Sequence, residues 1–138
     1  MLTREIMDRK MAEHFDYEAN DDVEGVLGTL TRDAVHDIVG WPFGPTRGPE
    51  GARPFYETLF ADLADGHVES RRRLYGDNFL VDDAMWRGRA PGRPFGVEGH
   101  DRELEFRLLH VVEFAPSGDI ARENVWVDFA AIHAQLAA

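Results

Sequence analysis

The strictest pattern in the chain is the alternation of Leu104, Phe106, Leu108, His110, Val112 and Phe114 with Glu105, Arg107, Leu109, Val111 and Glu113. Successive side chains on a β-strand point to opposite faces, so this run predicts a strand with one buried face, apolar except for His110. The same two-residue period governs residues 67–76 and 79–89, joined at the turn sequence Gly76-Asp77-Asn78. It returns in Ile120 to Asp128, after the turn Pro116-Ser117-Gly118-Asp119. So much half-buried sheet must be covered, and the first half of the chain supplies the cover.

There the period is helical. Leu2, Ile6, Met7, Met11 and Phe15 make one apolar stripe over residues 3–19. Asn20-Asp21-Asp22 ends that helix and caps a second, in which Val23, Val26, Leu27 and Leu30 share a face. Pro49 opens a third, with Ala52, Phe55, Tyr56, Leu59, Phe60 and Leu63 on its stripe, closing near Gly66. Phe129 to Leu136 forms a short terminal helix. Two loops, residues 41–49 and 90–99, are rich in Gly and Pro. With no repeat or linker, residues 1–138 are expected to form a single α+β domain, three N-terminal helices packed on a curved, mainly antiparallel sheet with a short C-terminal helix.

At 138 residues the chain can bury one core without disulfides, and with no cysteine it has neither disulfide nor thiolate chemistry, so a reducing cytoplasm is the expected location. Acidic residues in the first eight positions argue against an export signal. A net charge of −11 argues against nucleic acid and anionic membranes as partners. There is no His-x-x-x-His pair, Walker lysine or nucleotide-type glycine motif, so neither a metal nor a cofactor is expected.

The candidates for chemistry are polar groups set in apolar patterns. Asp37 interrupts the strand-like run Ala34-Val35-His36-Asp37-Ile38-Val39-Gly40. Turned into a cavity, its carboxyl would rise toward a useful basicity; turned to water, it would serve the turn that follows. His110 is its counterpart on the later strand, in a cavity or satisfied by a backbone carbonyl. Tyr56 offers a phenol inside the pocket or at its margin, and His14 lies beside the first stripe, facing inward or solvent. Alternation groups Glu123 with Val125 and Val127; facing inward, it would be a second carboxylate. Arg71-Arg72-Arg73, the only basic cluster, is expected on a solvated or subunit-facing surface.

These segments together resemble the nuclear transport factor 2-like superfamily, which includes ketosteroid isomerases and SnoaL-like polyketide cyclases. The resemblance is carried by Asp21-Asp22-Val23-Glu24, the Ala34–Gly40 run, Gly48-Pro49-Glu50-Gly51-Ala52-Arg53-Pro54-Phe55-Tyr56, and Gly118-Asp119-Ile120 followed by Asp128 and Gln135-Leu136. It implies a cone-shaped α+β barrel around a hydrophobic pocket. Asp37 falls where ketosteroid isomerases keep their carboxylate base, His110 where they keep a protonated acid of the oxyanion hole, and Tyr56 matches a pocket tyrosine. The principal oxyanion tyrosine is replaced at about His14. The cyclase segment His-Trp-Asp appears as Glu123-Asn124-Val125, although His110 resembles the histidine those cyclases carry on the preceding strand.

The expectation is therefore a small, cofactor-independent enzyme acting on an apolar, carbonyl-bearing metabolite by isomerisation, aldol cyclisation or dehydration. Asp37 and His110 would be catalytic, with His14, Trp41, Tyr56, Phe106 and Glu123 contacting substrate. The alternatives are a non-catalytic ligand-binding or dimerisation module, and an epoxide hydrolase, which needs two carboxylates around a water with an arginine between them, here Asp37 and Glu123. A homodimer through the outer sheet face, using Trp86 and Trp126, completes the reading.

Overall fold

Thr3 accepts a hydrogen bond from the Ile6 amide and starts α1, Arg4–Ala19, in the computed structural model, which describes residues 1–137. Asp22 caps α2, Val23–Leu27, through the Gly25 amide. Leu30, expected on the second helix, instead begins β1, Leu30–Val39, because α2 ends at Gly28. Within the first Gly-Pro loop a two-residue strand, β2 (Thr46–Arg47), pairs with β1. There follow α3 (Gly48–Asp62, with Pro49 in its first turn), β3 (Ala64–Gly76), β4 (Phe79–Ala90), β5 (Arg102–Phe114), β6 (Ile120–Val127) and α4 (Phe129–Leu136). The second loop contains one 3₁₀ turn, Pro94–Gly96.

The six strands form one sheet in the order β2-β1-β6-β5-β4-β3. All pairs are antiparallel except β1 with β6, so the sheet is mixed, with open edges at β2 and β3. Irregularities between Ala64 and His67 and between Ser70 and Arg72 on β3 add to its bending. The helices lie against the inner face, and the α+β class is as expected.

The apolar interior has two parts. Met11, Leu27, Tyr56, Leu80 and Val112 belong to the larger, beneath α1, α2 and α3; Leu63, Leu104, Phe106 and Ile132 form the smaller, beside α4. Fully buried side chains such as Met11, Leu80 and Ile132 each contribute about 1.5–3 kcal/mol to folding. Residues of both parts, Tyr56 and Phe60 from one and Leu63 and Phe106 from the other, line the cavity described below. Among the described residues no helix is long and apolar enough to cross a membrane.

Trp86 is not on the outer face, as expected for a dimer contact, but on the inner one. It stacks on Phe106 with ring centroids 5.2 Å apart and fits against two glycines. A Cβ on Gly66 would lie 2.3 Å from the indole and one on Gly88 2.4 Å from it, so the absence of side chains at these positions makes the seat for the ring. Gly66→Ala is accordingly expected to push Trp86 into the cavity and to cost about 1–3 kcal/mol. Urea unfolding measures the cost, and near-ultraviolet circular dichroism reports the displaced indole.

Candidate active site

Five elements, α1, β1, β4, β5 and β6, bring ionisable groups to one place. The α1 stripe Met7, Met11, His14 continues through Glu18, spacings that keep all four on one helix face. His36 points inward from β1, Glu123 from β6, His110 from β5 and Asp82 from β4; all four are at most 3% exposed. Strand register explains the grouping: His36 is the partner of Glu123, and Asp82 of His110, so each pair projects from the same face.

The cavity measures ≈ 80 Å³ and is lined by the aromatic side chains of Phe15, Tyr56, Phe60, Trp86, Phe95 and Phe106. Glu18, Glu123 and His110 are on its wall, with Asp21 and His67 also lining it. This is well below the roughly 300–1,000 Å³ of ordinary small-molecule pockets, so the enclosed space fits a small ligand or the reactive end of a larger one.

Hydrogen-bond bookkeeping fixes the state of His14. The Thr29 hydroxyl donates to the Val26 carbonyl at 2.6 Å, so it accepts from His14 Nδ1, 2.8 Å away. His14 Nε2 faces Oε2 of Glu123 at 3.3 Å and Oε2 of Glu18 at 3.7 Å, both of which are acceptors when ionised. Both ring nitrogens therefore face acceptors, as in an imidazolium. Burial alone would push the His14 pKa down, but the charges of Glu123 and Glu18 outweigh it and raise it to about 9. For Glu123, burial pushes upward and the adjoining His14 charge more than reverses this, holding the carboxyl below its usual range. Burial raises the Glu18 carboxyl, with the Glu123 charge adding to the rise and His14 opposing it. The two carboxyls are thus shifted in opposite directions, Glu123 downward by the His14 charge and Glu18 upward by burial.

Tyr56 is fully buried, its hydroxyl 3.1 Å from His36 Nε2 and 3.4 Å from His14 Nε2. Burial, reinforced by the Glu123 and Glu18 charges, raises the phenol well above its ordinary value and keeps it protonated. Burial also lowers His36, which stays neutral and can accept the tyrosine proton.

His110 belongs to a second chain of charges. Its Nδ1 faces Oδ2 of Asp82 at 3.5 Å, and Arg73 Nε donates to the other Asp82 oxygen at 2.8 Å. Arg73 also donates to Asp8 at 2.8 Å, and Tyr75 donates to the same Asp8 oxygen at 2.7 Å. Burial pushes Asp82 up, but the adjoining His110 and the hydrogen bond from Arg73 hold it below the usual carboxylate range. An ionised Asp82 favours a proton on His110 Nδ1, which leaves Nε2 to the cavity the ring lines. Arg73 therefore departs from the expected surface role: a register shift between Ser70 and Arg72 places it opposite Asp82, with its side chain 16% exposed, while Arg71 and Arg72 remain at the surface.

The structure does not bring Asp37 to this site. On β1 the inward set is Ala34, His36 and Ile38, so Asp37 lies on the outer face with Val35 and Val39, accepting a hydrogen bond from Asn124 at 2.9 Å. Asn124 in turn accepts from Arg122. Trp41 is also outside the cavity; it packs behind the wall, edge-on to Phe55 at 5.7 Å and to Phe95 at 6.3 Å. His14 is buried behind Glu123 rather than on the cavity wall, while Tyr56, Phe106, His110 and Glu123 line it.

His36, Asp82 and Glu18 are further candidate positions that the structure adds to those expected from the sequence. Asp82 carried the same signal as His110, a polar residue in the inward set Leu80, Ala84, Trp86, and Glu18 continued the α1 stripe. Nothing local marked His36 over Asp37, since both alternating sets of β1 are apolar. Among the described residues no three His, Asp or Glu side chains are grouped to hold a metal ion.

The family described as SnoaL-like polyketide cyclase matches residues 5–136. The chain belongs to that family. Solved structures of the same fold include TsrD from Streptomyces laurentii, 19% identical, with TM-score 0.84 and coverage of 100% of this chain and 99% of that one. An NTF2-like protein of unknown function from Burkholderia pseudomallei is 17% identical, with TM-score 0.78 and 96% and 98% coverage. An LEH-like epoxide hydrolase from M. tuberculosis is 17% identical, with TM-score 0.71 and 95% and 89% coverage. No curated protein matches the sequence significantly. Within the SnoaL-like frame, Glu123-Asn124-Val125 puts a carboxylate into the cavity from β6 and turns Asn124 to the outer face.

Proposed function

We propose that this SnoaL-like protein is a small enzyme that binds an apolar, carbonyl-bearing metabolite and moves a proton next to the carbonyl, needing no cofactor for that step. The observation that carries this reading is the His110–Asp82 pair, with Arg73 pinning Asp82 and the imidazole on the cavity wall. His110 Nε2 takes the proton from carbon, and the charges of Asp82 and Glu123 stabilise the imidazolium that forms. Water is limited by the aromatic walls, which strengthens each of these interactions. Isomerisation, aldol cyclisation and dehydration all begin with this transfer.

The test needs no knowledge of the natural substrate. Small cyclic ketones and enones are incubated with the protein in D2O, and exchange at the carbon beside the carbonyl is followed by proton NMR. Catalysed exchange that disappears in His110→Asn and persists in Asp37→Asn is the expected result. Exchange unaffected by His110→Asn would remove the assignment.

A second reading is supported by one observation, the Asp82–Arg73–Asp8 arrangement, in which an arginine bridges two carboxylates. It supplies the elements of an epoxide hydrolase, with residues other than the Asp37 and Glu123 expected. However, His110 stands between Asp82 and the cavity, and Asp8 is 45% exposed at the far end of the chain of contacts. Hydrolysis of small epoxides in H2¹⁸O that is lost in Asp8→Asn but not in Glu18→Gln would favour it.

A homodimer is proposed through the outer sheet face, where Leu109 and Trp126 are 37% and 43% exposed and adjacent in register. The patch is flanked by the Arg107–Asp83 and Arg122–Glu113 ion pairs, which offer both signs of charge to a second copy. Trp126→Glu is expected to halve the mass measured by sedimentation equilibrium; an unchanged mass would rule out this face.

A further inference from the structure

The cavity wall is unusual in the balance of its charges. Glu18, Asp21 and Glu123 contribute carboxyl groups, whereas among the described residues no Lys or Arg side chain lines the space. Among the described residues the cation close behind the wall is His14, shared between Glu123 and Glu18. Glu123 is 2% exposed, and its Oε2 accepts no hydrogen bond with good geometry among the described residues, an uncommon condition for a buried carboxylate. The remaining wall is largely aromatic, with Trp86 and Phe106 stacked on one side and Phe15 and Phe60 also lining it. Aromatic faces carry negative quadrupole potential, so wall and carboxylates attract the same kind of group.

We infer that the ligand of this cavity carries a small alkylammonium group, held against the aromatic faces with Glu18 and Glu123 as its counter-charges. The volume of ≈ 80 Å³ suits a compact cationic head better than a fused ring system. Apolar methyl groups around the nitrogen satisfy the aromatic wall, while the positive charge offsets the second of two carboxylates that share the single charge of His14. Anionic ligands, including carboxylates and phosphates, are disfavoured by the same arrangement. This inference rests on the cavity being the ligand site, as proposed above, and specifies the class of carbonyl compound it takes as one bearing an amine.

Three probes of matched shape separate the possibilities: choline, its neutral isostere 3,3-dimethylbutan-1-ol, and the anion 3,3-dimethylbutanoate. Isothermal titration of the intact protein at neutral pH is expected to show choline binding on the order of tenfold more tightly than the alcohol, with no binding of the anion. Glu18→Gln and Trp86→Leu are expected to bring choline to parity with the alcohol, and an intact melting transition in Glu18→Gln shows that the loss is not unfolding. If the alcohol binds as well as choline, or the anion binds best, the cationic preference is wrong and the cavity remains the site of a neutral or anionic substrate. If none of the three binds, both the preference and the cavity as ligand site are overturned.

Discussion

Replacement of His110 by alanine is expected to lower proton-transfer turnover by about 10²–10⁴-fold, the usual range for a general acid or base. The fold should survive, because Asp82 keeps its bond to Arg73 and the space left joins an existing cavity. Asp82→Asn offers a finer test. Asp82 does not line the cavity, so it acts on His110 by position and charge. An amide at that place can donate a hydrogen bond to Nδ1, which favours the opposite tautomer and puts the proton on Nε2, where the reaction needs a lone pair. The expected result is a loss of turnover comparable to that of His110→Ala with little change in ligand affinity. Equal losses of affinity and turnover would instead indicate that Asp82 merely shapes the cavity. The exchange assay and ligand titration together make this distinction.

The second large effect concerns stability. Glu123→Gln removes the carboxylate beside buried, charged His14 and is expected to destabilise the fold by about 3–5 kcal/mol, since one member of a buried pair is left uncompensated. For a chain of 138 residues this corresponds to a fall in melting temperature on the order of 10 °C. The pH dependence has a definite sign. His14 is raised from 6.5 to about 9 in the folded protein, so its stabilisation is complete below pH 6.5 and is lost as pH rises through about 9. The shift corresponds to about 3 kcal/mol. Glu123 is lowered, so its contribution is present above its ordinary value and falls away in acid. Both shifts report largely one interaction and are counted once. Thermal melts across pH 5 to 10 should show stability declining on the alkaline side in the native protein. In Glu123→Gln that decline should be much reduced; an unchanged alkaline decline would mean that His14 does not carry the charge.

Much of the fold was legible because periodicity is a local property. Periodicity marks the strand over Leu104–Phe114 and the terminal helix Phe129–Leu136 with nearly the observed limits. Leu30 is ambiguous because an apolar residue just after a helix face fits both that face and the first position of a strand. The parallel β1–β6 pairing was not legible at all, since it joins segments about ninety positions apart through register. The inward face of His110 is legible from a pattern in which every alternate residue is apolar. The orientation of Asp37 is not legible, because Val35 and Val39 flank it as fully as Ala34 and Ile38 flank His36.

The sequence by itself determined the elements, the α+β class and the presence of ionisable groups within apolar patterns, because side-chain period and turn chemistry act over a few residues. Only the tertiary structure decided which of those groups meet. Pairing β1 beside β6 turned His36 toward Glu123 and Asp37 away, and packing α1 over the sheet brought His14 and Glu18 to Glu123. A one-residue change in strand phase exchanges the two faces, so the chemistry of the site depends on long-range register that no local pattern encodes.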